Sequence, residues 1–274
     1  MSLDTLFSNV HNLPSIPKVV QDLQTSFGSD KANADAMAAM IAKDQAFAAK
    51  VLRLANSARY GVGRKIASIQ SAVVLLGVSA LRSLVMATGV SAAFTEVPGL
   101  DMKAFWKRSF TVGAICRRFA RPSGCDPEVA FTCGIMHSIG ILLIHMGEPD
   151  QCALIDQQVA SGQRTRAEAE HALLGYDYAE VGAVLSRRWK FPEEIQYAVS
   201  GQLDPLASPR SAYAALIFLA NYLLEGEAEG WDEIELLAHF PEEVAERLRL
   251  IPADVVGEWV VLKGEEDDID ELLS

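Results

Sequence analysis

Apolar residues recur at spacings of three and four along nearly the whole chain, and no stretch of strand length alternates apolar with polar. That pattern predicts an all-α, multi-helix fold. Leu13-Pro14-Ser15-Ile16-Pro17 opens it, with Pro17 at a helix start, where a missing N–H has no consequence. Alanine-rich helices follow over 34–42 and 46–58, and the two glycines of Tyr60-Gly61-Val62-Gly63 predict a loop. Ser68 reads as the N-cap of a helix over 69–76, Gly77 as its stop, and Ser79 as the cap of the next, over 80–94. Val97-Pro98-Gly99 then marks a boundary between two helical halves. Beyond it the spacing predicts helices over 101–120, 126–146, 149–161, 165–173, 176–190, 192–200 and 209–225. From Trp231 the sequence turns acidic and the pattern weakens.

The helix pair from Ser68 to Val85, joined by Leu76-Gly77-Val78-Ser79, has the outline of a DNA-binding helix-turn-helix. A recognition helix needs polar residues for base edges and cations for phosphates. Ala80-Leu81-Arg82-Ser83-Leu84-Val85-Met86-Ala87 offers one cation and is otherwise mostly apolar. It reads as a core helix.

Three segments carry a family resemblance: Leu13-Pro14-Ser15-Ile16-Pro17, Val51-Leu52-Arg53-Leu54-Ala55-Asn56-Ser57-Ala58-Arg59-Tyr60, and Ile66-Ala67-Ser68-Ile69-Gln70-Ser71-Ala72-Val73-Val74-Leu75-Leu76-Gly77. In order and spacing they resemble the HDOD family, bacterial signalling relatives of the HD-domain metal-dependent phosphohydrolases. The resemblance implies an N-terminal helical lobe over 1–98 packed on an HD-like helical lobe over 99–225. A C-terminal helical extension over 226–263 and an acidic tail over 264–274 would follow. It also implies a non-catalytic regulatory module that acts on signalling proteins. Such modules are often joined to receiver, GAF or cyclic-di-GMP-turnover domains, none of which is visible here, so the chain is expected to act alone.

An HD phosphohydrolase gathers histidines and aspartates around a metal that activates water. The resemblance places the first ligand at Arg108, which on a helical wheel falls beside Phe105, Val112, Ile115 and Phe119. A guanidinium there cannot ligate a cation. In Gly134-Ile135-Met136-His137-Ser138-Ile139-Gly140 the histidine survives as His137, but the bridging aspartate is Ser138. In Gly175-Tyr176-Asp177-Tyr178-Ala179-Glu180-Val181-Gly182 the usual histidine is Tyr178, and the last aspartate is Asn221. His145 is expected about 12 Å along the same helix from His137. His11, His171 and His239 have no partners at ligand spacing. No metal, no cofactor and no catalysis are therefore expected, with a phosphohydrolase kept only as a remote alternative.

What remains is a set of inward polar groups: Arg108, His137, Ser138, Asp177, Tyr178 and Asn221. Two readings stay open. The cluster satisfies itself, as buried polar groups must, or it holds a small anion or nucleotide second messenger with Arg108 as the fork.

Charge and composition sharpen the picture. Half the residues are apolar and 22% are charged, a globular balance. The net charge is −12, yet residues 1–150 carry 15 basic and 11 acidic groups, against 9 and 25 in residues 151–274. An acidic second half disfavours nucleic acid and anionic membrane as partners. Lys103, Lys107, Arg117, Arg118 and Arg121 form a stripe along one face of the 101–120 helix. It is either a solvated face or a docking strip for an acidic partner or the chain's own acidic half. The acidic tail carries Ile269, Leu272 and Leu273 at helical spacing, either a frayed end or a tethered docking peptide. No apolar run is read as spanning a bilayer, no secretory leader opens the chain, and Cys116, Cys125, Cys133 and Cys152 form no Cys-x-x-Cys pair. A bacterial cytoplasmic protein with reduced thiols is the expectation.

Overall fold

The computed structural model describes residues 2–10, 13–25, 34–56, 65–207 and 211–263. The Tyr60–Gly63 loop, His11 and the acidic tail with Ile269, Leu272 and Leu273 lie outside the described residues. Within them every regular element is a helix. The N-terminal half holds α1 (Leu3–Asn9), α2 (Lys18–Thr25), α3 (Ala34–Ile41), α4 (Gln45–Ala55), α5 (Ile69–Leu76) and α6 (Val78–Ala93). Ser68 caps α5 by accepting from the Ser71 amide at 3.1 Å. Ser79 caps nothing: Gly77, at φ 87°, both ends α5 and begins α6. Only glycine takes that angle cheaply, so the chain turns without an intervening cap.

The second half is built on α7 (Met102–Ala120) packed against α8 (Pro127–Met136). Gly113 and Gly134 set their closeness, since a Cβ on Gly134 would stand 2.4 Å from the Gly113 Cα. The helix expected over 126–146 is two helices, α8 and α9 (Ile139–Gly147), broken at His137-Ser138. The break has a local cause. Gly134's carbonyl accepts the His137 ring Nδ1–H at 2.7 Å, while the His137 amide reaches it only at 3.5 Å. Side-chain competition for a backbone acceptor loosens the helical ladder there. Burial on every side of both helices left no periodic gap in the sequence to betray it.

The stretch Pro127–Gly147 does reach spanning length and hydropathy, contrary to the sequence reading, but 83% of its apolar window is buried within the protein. It is a core element. Around it stand α10 (Pro149–Ala160), α11 (Arg166–Leu174), α12 (Tyr178–Arg188), α13 (Glu193–Gly201) and α14 (Ala212–Ala228). Gly140 of α9 meets the start of α12, where a Cβ would lie 2.0 Å from the Tyr178 carbonyl oxygen.

The two halves are fastened to each other. Asn9 donates to Glu148 at 3.4 Å, and Trp189 donates its indole N–H to the Pro14 carbonyl at 3.1 Å. Arg188 lies 4.1 Å over the Phe7 ring. The His145 ring, buried, meets the Pro98 carbonyl at 3.1 Å and pins the linker. The acidic region is helical too, as α15 (Glu233–Ala238), α16 (Glu242–Leu248) and α17 (Pro252–Lys263). Trp231 anchors it, stacking on His239 at 4.8 Å and meeting the Tyr222 ring of α14 at 6.1 Å.

Candidate functional site

The break between α8 and α9 places His137 in the core of the second half. The imidazole is 3% exposed. Burial lowers its pKa to about 3, and the nearby Arg108 charge pushes the same way against the Gly134 carbonyl. His137 is therefore neutral at physiological pH. Its own carbonyl accepts from Gln202 at 2.7 Å, and Gln202 also donates to the Val199 carbonyl at 2.8 Å. Ser138, buried, shares a hydrogen bond with Ser109 of α7 at 3.4 Å.

Arg108 departs from the inward placement expected of it. The residue is exposed. Its guanidinium donates to the Asn221 side-chain oxygen at 3.1 Å, across from α7 to α14. A long arginine stem can start on an inward stripe and still carry its head to water. Its charge acts on His137, Tyr178 and Glu225, so these groups share one neighbourhood. Glu225 went unnoticed in the sequence, although it stands one helical turn beyond Asn221 and could have been found by that spacing.

Asp177 is not an inward pocket group but a helix cap. Its carboxylate accepts from the Ala179 and Glu180 amides, both at 2.9 Å, and Glu180 returns a bond to the Asp177 amide at 3.0 Å. Tyr178, half-buried, opens α12, and its amide donates to Glu170 at 2.7 Å. Burial raises the Tyr178 phenol above its usual value, with Glu170 and Asp177 adding to the rise. Glu170, fully buried, was also missed. Burial raises its pKa to about 7 against the pull of Arg166, which it binds at 3.2 Å. A lone carboxylate in a helical stripe gives no sign that its partner is an amide eight residues on.

A divalent metal does not fit this donor set. Arg108 is cationic, Tyr178 is held as a phenol, and the Asn221 oxygen already accepts from Arg108. His137 has one ring nitrogen engaged by Gly134, and Ser138 is a weak ligand. Elsewhere, His171 does have neighbours: its ring and the carboxylates of Asp177 and Glu180 bring ligand atoms within 4.8 Å of one another. Both carboxylates are the capping pair of α12.

The basic stripe divides. Arg117 pairs with Glu128 at 2.9 Å, and Arg118 pairs with Glu258 of α17 at 2.6 Å. The latter is a contact with the chain's own acidic half. Arg121 acts on Glu128 as well, and Lys103 lines a cleft between the two halves. Lys107 is half-buried, and its carbonyl accepts from Thr111 at 3.0 Å. All four cysteines are free thiols, and burial raises each of their pKa values.

An all-helical protein with a buried histidine at a helix break defines the class. The HDOD domain family model matches residues 13–205, and the chain belongs to that family. Among solved structures it is similar to a candidate phosphohydrolase of Shewanella amazonensis SB2B, at 32% identity, TM-score 0.84 and 98% coverage of both chains. It also superimposes on an HDOD domain protein of Geobacter sulfurreducens, at 24% identity and TM-score 0.85, covering 98% of this chain and 97% of that one. A candidate signal transduction protein of Marinobacter aquaeolei VT8 shares the fold at 20% identity and TM-score 0.78, over 98% of this chain and 65% of the other. A curated protein of Treponema pallidum, itself uncharacterised, matches at 22% identity over 193 residues. That match spans 70% of this chain and 37% of the relative's length.

Proposed function

We propose that this chain is a non-catalytic HDOD regulatory module of bacterial signal transduction, acting in the cytoplasm by binding other proteins. One observation carries the reading. At the four places where an HD phosphohydrolase would hold metal ligands stand Arg108, Ser138, Tyr178 and Asn221, and two of them are hydrogen-bonded to each other at 3.1 Å. Metal-assisted hydrolysis needs a cation to activate water and neutralise phosphate. Here the exposed Arg108 guanidinium, whose charge reaches His137, supplies charge of the same sign as the cation. The Arg108 charge is in turn shared with Asn221 and Glu225, so a small anion would compete with groups already present. That weighs against the second-messenger reading of this centre. Titration calorimetry with Mn²⁺ and Fe²⁺, paired with hydrolysis of bis(p-nitrophenyl) phosphate, tests the proposal. No saturable metal binding and no metal-dependent turnover are expected. Turnover that rises with added metal and disappears in His137→Ala would overturn it.

A further inference from the structure

A second centre, away from His137, lies where the two halves meet. A cleft of about 360 Å³ opens between α4, α6 and α7. Its volume falls at the small end of ligand sites, which run from roughly 300 to 1,000 Å³. Lys50 and Arg53 come from α4, one turn apart, and Lys103 faces in from α7. Among the described residues no carboxylate lines it. Lys50 and Arg53 form no ion pair with any carboxylate among the described residues, in a chain whose net charge is −12.

The wall between these cations is aromatic and hydroxylated. Phe94, Trp106 and Phe110 line it together with Thr88, Ser91 and Thr95. Trp106 is 4% exposed, and its indole N–H is buried without a hydrogen-bond partner. A buried donor left unpaired calls for an acceptor that the described residues do not supply. The contrast with the neighbouring cleft on α6 is sharp in charge. That one, about 500 Å³, is lined by Asp126, Glu128, Glu193 and Glu194 against one cation, Arg82. Among the described residues the first cleft has a cationic lining and the second a mainly acidic one, so the first suits an anion better.

On α7, Lys103, Trp106 and Phe110 share one face at spacings of three and four, and Arg108 stands on the other. The two centres are independent. We infer that the cleft between the halves binds a small phosphorylated aromatic ligand of the nucleoside monophosphate class. The ring would lie against Phe94, Trp106 and Phe110, and the phosphate against Lys50, Arg53 and Lys103.

The test is titration calorimetry of the full chain at low salt with the four ribonucleoside 5′-monophosphates. Adenosine and inorganic phosphate serve as half-ligand probes. Saturable 1:1 binding of at least one monophosphate is expected, with both half-ligands roughly tenfold weaker or more. The double variant Lys50→Glu/Arg53→Glu should weaken binding by more than about tenfold, because it removes two charge-assisted contacts. Its urea unfolding midpoint should not move. Arg108→Ala should bind as wild type does. The proposal is overturned if none of the four monophosphates binds saturably, or if the double variant binds unchanged. It is equally overturned if Arg108→Ala removes the binding.

Discussion

The centre around His137 and the cleft between the halves are both polar places in an apolar protein. Most polar groups of the first are engaged within the fold, while two cations of the second have no carboxylate partner among the described residues. At the centre, Arg108 bonds Asn221, His137 bonds the Gly134 carbonyl, Ser138 bonds Ser109, and Asp177 caps a helix. In the cleft, Lys50 and Arg53 are exposed with no carboxylate lining their surroundings. Groups satisfied inside the fold contribute stability and leave little for a ligand to gain. Groups facing only water contribute little stability and leave interactions for a partner to make. Position in a family's active site is therefore a poorer guide to binding than the state of the hydrogen bonds.

The comparison breaks most visibly if His137 does not resist acid. Its folded pKa is lowered from 6.5 to about 3, so between those values the folded protein binds fewer protons than the unfolded chain. Stability is complete above pH 6.5 and falls as pH drops through the window. The slope is about 1.4 kcal/mol per pH unit, reaching roughly 4 to 5 kcal/mol for the whole window. Glu170 works in the other direction, because a pKa raised from 4.5 to about 7 costs stability as pH rises between those values. Urea unfolding of wild type and His137→Gln across pH 4.5 to 7.5 separates the two. Below pH 6.5 wild type should lose stability relative to the variant, steadily as the pH falls. A constant difference would mean His137 is not buried neutral.

Next in size is Gly140→Ala. A Cβ there would lie 2.0 Å from the Tyr178 carbonyl oxygen and 2.7 Å from the Gly182 amide nitrogen, both backbone atoms that cannot rotate aside. A loss of roughly 3 kcal/mol, or failure to fold, is expected. Differential scanning calorimetry reads it directly. Gly257, with open space around its Cβ position, is the control, and Ala there should be harmless or mildly stabilising.

Much of this was legible in the sequence, and what was not has physical reasons. Apolar spacing located nearly every helix, because each buries one stripe on a shared core. It missed the break at His137-Ser138, since a segment buried all round shows no polar face to interrupt. It set Asp177 inside a pocket because a capping residue and an inward residue share the same short acidic side chain. It placed Arg108 by its Cα direction, whereas the guanidinium ends several bonds away. The helices α15, α16 and α17 were obscured because exposed acids dilute their stripes. The cleft between the halves was invisible for a different reason. Its residues come from α4, α6 and α7, and only the packing of two lobes brings them together.

A smaller effect is expected from Arg108→Ala. One hydrogen bond from an exposed guanidinium is lost, and the half-buried Asn221 can turn to water. The cost should stay below about 1 kcal/mol in urea unfolding. A loss of several kcal/mol would mean that the guanidinium neutralises a charge inside the centre, and the description of Arg108 as an exposed group sharing one hydrogen bond with Asn221 would be wrong.

The smallest expected change in stability is also the most informative. Lys50→Ala and Arg53→Ala remove exposed cations that pair with no acid among the described residues, so each should stay within about 0.5 kcal/mol of wild type. Relieving like-charge repulsion between neighbours one turn apart gives the effect its sign: stability should rise slightly, and the rise should shrink as salt screens the pair. Thermal unfolding at low and high salt measures both. If either variant instead loses more than about 1 kcal/mol, the cation holds the two halves together. The difference between a centre that holds the fold and a cleft kept open would then disappear. If stability rises and the rise fades with salt, the chain carries an electrostatic strain at this cleft that its own residues do not relieve.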